Sequence, residues 1–300
     1  MTTHFPKGVR VGGSALPDGV MMLTPLAAAI ARELPGGGFS VESFPLPERK
    51  SHPVEKMPFI RILPKLFGQM SLVVRGWKPR EGRRFPVQLL AVVLFVGLFS
   101  SLLNLVFAGL SPLWHAIGSS FLQLFLFFGI IVTTRLVPQC GRIWRFHGGE
   151  HQAITAYEAD MELTVENTST RSLYHPRCGT NLATLAMFFM LPGMVVGSMI
   201  AGPVGYLVTV AVPLLALCVA FEIVMLGQKR VRAVLWPGLA LQRLTVARPE
   251  RNESLAGITA LQAALAEHGR VQAARGAASE AAARRASPAH AGAQSAPNGG

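Results

Sequence analysis

The chain has 300 residues, of which 50% are hydrophobic and only 15% are charged, and its mean hydropathy is +0.39. This composition is too apolar for an ordinary soluble domain. Two long stretches, residues 86–134 and 178–221, contain no Asp, Glu, Lys or Arg. Each is more than twice the roughly 20 residues that one helix needs to cross a bilayer. The sequence therefore predicts an integral membrane protein and excludes a soluble enzyme, a secreted disulfide scaffold and a coiled coil.

The net charge of +12 comes from 28 Lys+Arg against 16 Asp+Glu, and an excess of this size is also typical of nucleic-acid binding. Here, however, basic residues flank the two apolar stretches: Arg75, Lys78, Arg80, Arg83, Arg84, Arg135, Arg142, Arg145, Lys229, Arg230 and Arg232. Cytoplasmic flanks of membrane spans carry such an excess. The pattern predicts a protein of the cytoplasmic (inner) membrane with both termini in the cytoplasm. Its surroundings would be the lipid bilayer, and no nucleic-acid partner is expected.

Residues 1–84 are predicted to form a cytosolic N-terminal region. Two short extended runs, residues 27–34 and 39–46, flank a glycine-rich turn at residues 35–38. This arrangement predicts a β-hairpin. A connector rich in Pro, Lys and Arg then leads to the bilayer and includes an amphipathic segment around residues 59–74.

Each apolar stretch is long enough for two helices joined by a charge-free turn. The four spans are predicted at residues 86–107, 113–137, 182–200 and 204–226. They form two transmembrane hairpins, at 85–137 and 182–227, which are separated by a cytosolic loop at 138–181. Small residues on the spans, such as Gly193 and Gly197, favour close packing of the helices.

The region after the membrane, residues 228–268, is predicted to be cytosolic. It contains a helix that begins near Asn252 or Ser254 and ends near His268. Residues 269–300 hold almost no large apolar side chain, so this tail is predicted to be disordered. The expected fold class is mainly α and integral to the membrane, with four spans and a small cytosolic α+β portion.

The loop 138–181 contains the residues that indicate chemistry. If the motif HGGEH is helical, His147 and His151 stand one turn apart on one face, where two imidazoles can bind one metal ion. Glu150 precedes the second histidine, and its carboxylate is placed to take a proton from water at the metal. This order is the reverse of the zinc-protease helix signature. The two glycines count against a helix, because each costs about 1 kcal/mol inside one.

His175 and Cys178 lie at the far end of the same loop, where span three begins. The predicted topology places both ends of the loop at one membrane face, so four candidate ligands fall in one interfacial layer. Histidine with cysteine is a borderline-soft donor set, which predicts a divalent metal with zinc as the first candidate. Three protein ligands with an open position would indicate catalysis, and four would indicate a structural clamp.

Five further residues are predicted to lie around the metal or to contact a substrate: Glu158, Glu166, Asn167, Arg177 and Glu222. Glu158 shares the histidine face of the helix, but it lies about 10 Å along the axis from His151 and is too far to bind the same ion. Glu222 lies inside span four, where a carboxylate costs about 2.5 to 3.5 kcal/mol at mid-depth. It is therefore a functional candidate, with an ion pair to Lys229 as the alternative.

Residues 146–180, FHGGEHQAITAYEADMELTVENTSTRSLYHPRCGT, resemble the YqhQ-like family of bacterial multi-pass membrane proteins. The likeness extends to Gly12-Gly13, residues 18–22, Phe221-Glu222, Pro237-Gly238 and residues 242–245, and it covers most of the chain up to about Leu265. That family is described as a domain of unknown function and as predicted metal-dependent enzymes. The resemblance thus implies a membrane enzyme that depends on a metal.

These observations together predict a metal-dependent hydrolase at the cytoplasmic membrane surface, with Glu150 as the base. Its candidate metal ligands are His147, His151, His175 and Cys178. The substrate would be a lipid headgroup, a membrane-embedded peptide or an amphiphilic metabolite, and the oligomeric state stays open. The alternative function is a non-enzymatic scaffold or transporter whose metal clamps the loop onto the bundle. Metal transport is disfavoured, because apart from Arg135 at the end of span two, spans one to three hold no charged residue to line a path.

Overall fold

The computed structural model describes residues 6–48, 53–76, 94–95, 98–99, 101–102, 105–136, 138–200, 202–230 and 232–286. Over these ranges the chain is mainly helical, with one four-stranded antiparallel sheet near the N-terminus. Most of the first predicted span, residues 86–107, lies outside the described residues, as do residues 287–300 of the predicted disordered tail.

The sheet consists of four short strands in the order in which they follow along the chain: β1 (Gly12–Leu16), β2 (Gly19–Leu23), β3 (Ala27–Glu33) and β4 (Phe39–Pro45). Strands β3 and β4 confirm the predicted hairpin, and Gly37 and Gly38 in its turn adopt φ values of 88° and 77°. Strands β1 and β2 form a second hairpin that was not predicted. Its turn contains Pro17-Asp18 followed by Gly19, a strong turn signal between apolar residues.

The described helices are α1 (Ile62–Gly76), α2 (Pro112–Leu136), α3 (Pro138–Glu158), α4 (Val165–Ser169), α5 (Gly179–Met199), α6 (Gly202–Lys229), α7 (Trp236–Thr245) and α8 (Arg251–Ala286). Short 3-10 helices occur at Pro53–Lys56 and Arg232–Leu235. Helices α2, α5 and α6 are long and apolar enough to cross a membrane. They coincide with predicted spans two, three and four.

Helices α5 and α6 pack against each other along small residues. A methyl group at Gly193 would lie 1.9 Å from Cγ1 of Val212, and one at Gly197 would lie 2.6 Å from Oγ1 of Thr209. The two backbones therefore approach more closely than a larger side chain at either glycine would permit. This contact agrees with the packing role predicted for these glycines.

The main core outside the candidate spans lies between the sheet, α3 and α8. Val20 and Met22 of β2 belong to one fully buried cluster with Phe146 of α3 and Leu261 of α8. Alternate residues of a strand face opposite sides of the sheet. The neighbouring residue Met21 accordingly belongs to a second cluster on the other side, against the C-terminal part of α1.

Helix α8 begins at Arg251 and continues past the predicted end near His268 to Ala286. Its first turns are buried against the sheet and α3, whereas most residues after Arg270 are exposed. Alanine is the strongest helix former, so this alanine-rich segment is helical without a core to pack on. The structure therefore describes residues 269–286 as a helix, where the sequence predicts disorder.

The two glycines of HGGEH allow α8 and the segment before it to approach α3. A methyl group at Gly148 would lie 2.0 Å from the carbonyl oxygen of Ala247, and one at Gly149 would lie 2.4 Å from that of Glu253. Packing thus requires glycines that helix propensity alone disfavours. The helix forms in spite of them because its tertiary contacts outweigh the propensity.

We expect Gly148→Ala to lower the free energy of unfolding by about 1 to 3 kcal/mol, because the backbone at Ala247 must move to admit the methyl group. Gly269→Ala in α8 is the matched control, since a methyl group there meets nothing within 4 Å. The control should keep or slightly raise stability, as alanine favours a helix. Thermal unfolding of the detergent-solubilised chain measures both changes. A Gly148→Ala chain as stable as the unaltered one would contradict the close approach.

Candidate metal centre

Helix α3 presents His147 and His151 one turn apart, with ring centroids separated by 4.4 Å. Nδ1 of His147 lies 2.9 Å from the carbonyl oxygen of Thr245, and Nδ1 of His151 lies 2.5 Å from that of Leu173. A carbonyl oxygen only accepts hydrogen bonds, so each Nδ1 carries the hydrogen and each Nε2 keeps a free lone pair when the ring is neutral. Partners of this kind orient histidine ligands in metal sites.

Cys178 forms a compact cluster with the two histidines. Its Sγ lies 3.3 Å from Nε2 of His147, and the candidate ligand atoms of the three residues all lie within 4.8 Å of one another. Zinc bonds of about 2.0 to 2.3 Å place tetrahedral ligands about 3.5 Å apart. This cluster could therefore hold a metal ion after small side-chain rotations.

The position of Cys178 follows from the start of α5. Cys178 is the N-cap residue of this helix, and the backbone N–H of Thr180 donates to Sγ at 3.4 Å. A helix N-terminus favours negative charge, which suits a sulfur ligand. The cap thus fixes the direction of the side chain and supports its role as a donor.

Burial affects the charge of the residues around the cluster. It lowers the pKa of His151, so this ring is neutral at pH 7 and can act as a ligand. Burial raises the pKa of Glu150 to about 7, against the opposing charge of His147. Glu150 is only 6% exposed, and within the described ranges its Oε2 has no hydrogen-bond partner. Buried polar atoms are normally paired, so this oxygen is available to a proton or a bound group.

Strand β1 packs on Glu150 through Gly13. A methyl group at Gly13 would lie 2.8 Å from Cγ, Cδ and Oε1 of Glu150, whereas one at Gly12 would meet nothing within 4 Å. The missing side chain of Gly13 therefore makes room for the carboxylate. This explains the second glycine of the N-terminal pair, whose role the sequence did not reveal.

His175, predicted as a ligand, lies beside the cluster and is not a member of it. Its ring centroid is 5.7 Å from that of His151. Its Nδ1 accepts the backbone N–H of Arg177 at 3.3 Å, and its Nε2 lies 3.3 Å from the carboxylate of Glu158. Both ring nitrogens are engaged, so the described candidate cluster consists of His147, His151 and Cys178, whereas the sequence predicted His175 as a fourth ligand.

Glu158 joins His175 to Arg177 at the C-terminal end of α3. Its carboxylate accepts from both side chains, and Arg177 also donates to the carbonyl oxygen of Val11 at 3.4 Å. Burial alone would raise the pKa of Glu158, but the hydrogen bond from His175 and the charge of Arg177 outweigh it and lower this pKa. These contacts attach the turn before α5 to both α3 and the N-terminal sheet.

Two buried amides that were not predicted as site residues hold the turn that carries Cys178. Oε1 of Gln242 accepts the backbone N–H of His175 at 2.9 Å, and its Nε2 donates to the His175 carbonyl oxygen at 3.0 Å. Asn181 donates to the carbonyl oxygen of Pro176 at 2.8 Å. Both amide residues are 0% exposed. Their only sequence signal is a polar residue among apolar neighbours, which is a weak one.

Glu166 and Asn167, which were predicted to lie around the metal or a substrate, lie in the short helix α4. Glu166 is exposed, and its carboxylate lies 3.8 Å from Arg251. The side chain of Asn167 donates to the carbonyl oxygen of Glu162 at 3.0 Å. Neither residue lines the cavity next to the cluster.

Glu222 in α6 forms an ion pair with a residue from the segment before α1. Its carboxylate accepts from Nε and Nη2 of Arg61 at 2.8 and 2.5 Å, and from the backbone N–H of Phe59 at 3.1 Å. The pair compensates for the cost of a carboxylate in an apolar helix. The side chain of Lys229, the partner considered from sequence, lies outside the described residues.

The cluster and Glu150 line a cavity of about 620 Å³. Its walls come from β1, one face of α1, α3, the turn before α5, and Phe221 of α6. On the α1 side the lining includes both apolar and polar residues: Ile62, Lys65, Leu66 and Gln69. The candidate ligands are therefore open to a bound molecule or a segment of another chain.

A family model described as "Protein of unknown function (DUF1385)" matches residues 80–267, which is more than half of the chain. The chain belongs to this family. The match includes His147, His151 and Cys178, whereas β1 lies before it. Membership supports the family resemblance stated from the sequence motifs, whereas the multi-pass membrane character and the metal dependence stay predictions.

One relative is described as "Uncharacterized protein YqhQ" from Bacillus subtilis (strain 168), and it is 32% identical to this chain over 139 residues. The aligned part covers 44% of this chain and 43% of the relative. The chain therefore matches less than half the length of this relative. No solved structure matches the chain significantly.

Proposed function

We propose that the chain is a metal-dependent hydrolase of the membrane surface, with zinc held by His147, His151 and Cys178. The observation that carries this proposal is the shared orientation of the two histidines. A backbone carbonyl fixes each ring at Nδ1, and the candidate ligand atoms of both histidines lie within reach of Cys178. Two nitrogen donors and one sulfur donor are a set that suits zinc.

The number of available ligands favours catalysis over a structural clamp. Structural zinc sites use four protein ligands, whereas catalytic sites keep one position open. His175 lies beside the cluster, with its ring centroid 5.7 Å from that of His151, and both of its ring nitrogens are already engaged. The cavity beside the cluster offers room for a substrate at the remaining position.

Glu150 is the proposed general base. It lies three residues after His147 on the same face of α3, lines the same cavity, and has a buried carboxylate oxygen without a partner in the described part of the chain. Bound zinc would act as a Lewis acid toward the substrate and would lower the pKa of water. As the water oxygen attacks the substrate, Glu150 takes its proton and passes it to the leaving group.

The proposed location of the site is the cytoplasmic face of the inner membrane, with both termini in the cytoplasm. The basic flanks of the apolar stretches support this orientation. Helix α3 begins at Pro138, directly after the candidate span α2, and Cys178 caps the candidate span α5. Both halves of the cluster are therefore attached to ends of helices that can cross a membrane, which supports a site at the membrane surface.

Zinc retention by the purified full chain tests the proposed cofactor. We expect about one zinc per chain, and at least tenfold weaker zinc binding in Cys178→Ser, because a serine hydroxyl is a poorer zinc ligand than a thiolate. Cys218→Ser is the control, since this buried free cysteine lies within α6. Metal analysis after dialysis against increasing chelator concentrations measures all three proteins. A zinc-free chain prepared without chelator, or equal retention by both variants, would contradict the proposal.

A further inference from the structure

The outer edge of the N-terminal sheet borders the candidate metal centre. The strand order leaves β1 with one edge that no strand of the described sheet pairs with. Five consecutive residues, 11–15, line the same cavity as the histidines. Successive residues of a strand face opposite sides of the sheet. A cavity that contacts consecutive residues therefore lies along the edge of the strand, and on one face it also reaches Leu23 of β2.

The hydrogen-bond pattern of the sheet identifies the groups that face this edge. The backbone N–H of Glu33 donates to the carbonyl oxygen of Asp18, so Asp18 is directed toward β3 and its neighbour Gly19 is directed toward β1. Pairing in an antiparallel ladder alternates from one residue to the next, and the register of β1 with β2 is continuous. The N–H and C=O groups of Gly13 and Ala15 therefore point away from the sheet.

Two contacts place this edge beside the residues of the proposed centre. The carbonyl oxygen of Val11, which faces outward by the same alternation, accepts from Arg177 at 3.4 Å. Gly13 packs directly on the Glu150 carboxylate. Among the described residues, the outward backbone groups of Gly13 and Ala15 have no hydrogen-bond partner. The edge thus offers unpaired donors and acceptors next to the candidate base.

We propose that β1 is a substrate-binding strand, on which an extended peptide pairs with Gly13 and Ala15 and brings one peptide bond to the metal centre. This inference rests on the proposed function and makes the hydrolase a peptidase. Unpaired sheet edges bind extended peptides through main-chain hydrogen bonds. A lipid headgroup makes no use of such an edge, so the observations favour the peptide.

The remaining walls of the cavity indicate which peptides fit. Ile62 and Leu66 of α1 are four residues apart and share a face toward the cavity, so they provide an apolar surface for substrate side chains. Leu182 and Phe221 line the cavity from α5 and α6, two helices that can cross a membrane. The preferred substrate is therefore an apolar segment next to a membrane span of another protein.

Peptide hydrolysis at this position needs water and no oxidant or reductant. The water oxygen forms a bond with the carbonyl carbon of the substrate, and Glu150 takes one proton from that water. The carbon–nitrogen bond then breaks, and the nitrogen receives the proton from Glu150. The products are a carboxylic acid and an amine, and Glu150 returns to its starting state.

Binding of three hydroxamates to the zinc-loaded full chain in detergent micelles tests the inference. The probes are acetohydroxamate, acetyl-Leu-Ala-Leu hydroxamate, and the same tripeptide with N-methylated backbone amides. We expect the tripeptide to bind at least about tenfold more tightly than acetohydroxamate, because main-chain hydrogen bonds add to the zinc contact. N-methylation should remove this gain, since it removes the donors.

Two proline variants locate the effect on the strand. Ala15→Pro removes an outward N–H without removing a bond to β2, and it should weaken tripeptide binding about tenfold while acetohydroxamate binding stays unchanged. Ser43→Pro is the matched control, because Ser43 is an exposed, outward-facing residue of the opposite edge strand β4. This control should bind both probes as the unaltered chain does.

Equal affinity of the unaltered chain for the tripeptide and its N-methylated form would overturn the inference, even if Ala15→Pro fails to fold. Tighter binding of dihexanoylphosphatidylglycerol than of the tripeptide, measured by competition, would also overturn it and assign the cavity to a lipid. Zinc content and acetohydroxamate binding are measured in the same samples. If the chain holds zinc and binds acetohydroxamate but binds the tripeptide no more tightly, only the peptide inference fails. A chain that binds no zinc refutes the proposed function and this inference with it.

Discussion

Replacing His147 and His151 together by alanine is expected to reduce the zinc content of the purified chain to background. The change removes two of three proposed ligands, and one remaining donor does not hold zinc against solvent. His147 and His151 otherwise contact backbone carbonyls and Cys178, so the loss of zinc is the specific effect. Metal analysis by mass spectrometry measures it, and the elution volume in size-exclusion chromatography checks the fold.

Two single variants serve as controls for the double variant. His115 lies near the start of α2, so His115→Ala should keep the full zinc content. His175→Ala should keep most of it, because the ring of His175 is engaged by Glu158 and the Arg177 backbone. Loss of zinc in His175→Ala would show that four protein ligands bind the metal, and the clamp would then be the better explanation. Zinc in the double variant at the level of the unaltered chain would refute the cluster.

Replacing Glu150 by glutamine is expected to abolish function while zinc content and thermal stability stay near those of the unaltered chain. Glutamine has nearly the same shape but cannot take a proton, and the loss of a general base lowers rates by about 10² to 10⁴. Cells that carry Glu150→Gln in place of their own gene should accumulate the same uncleaved membrane-associated peptides as cells without the gene. Quantitative mass spectrometry of membrane fractions measures this. If the metal is purely structural, the profile of membrane-associated peptides should match that of unaltered cells.

Matched variants distinguish the loss of the general base from effects that substitutions elsewhere in the chain cause. Glu166→Gln changes an exposed carboxylate outside the cavity and should leave the profile unchanged. Gly13→Ala should reduce function because its methyl group displaces the Glu150 carboxylate, whereas Gly12→Ala on the same strand meets open space. Equal effects of the two glycine variants would contradict the contact between β1 and the base.

The candidate spans were predictable because the cost of charge in hydrocarbon removes ionisable residues from them. The same charge-free stretches located α2, α5 and α6 to within a few residues. The proximity of His147, His151 and Cys178 was predictable for a related reason, since they lie in the segments after α2 and before α5, which the charge pattern predicts at the same membrane face. The sequence predicted His175 as a ligand because it lies three residues before Cys178. Its contact with Glu158, 17 residues earlier in the chain, is not visible in a sequence pattern.

Other features depend on contacts between distant segments. The glycines of HGGEH count against a helix until Ala247 and Glu253 are seen packed on them. Glu222 pairs with Arg61, 161 residues away, whereas sequence spacing offered Lys229, whose side chain lies outside the described residues. Strand β1 begins with two glycines, which have low strand propensity, so neither the strand nor its free edge was predicted. Only tertiary contacts reveal these features, because local propensity and periodicity carry no information about them.

Zinc K-edge X-ray absorption spectroscopy on the purified full chain tests whether His147, His151 and Cys178 bind zinc. We expect a zinc ion with two imidazole nitrogens at about 2.0 Å, one sulfur at about 2.3 Å and one further light atom. The sulfur contribution should disappear in Cys178→Ser and persist in Cys218→Ser. A chain without zinc, or zinc surrounded by oxygen with neither imidazole nor sulfur, would contradict the metal centre and the function proposed from it.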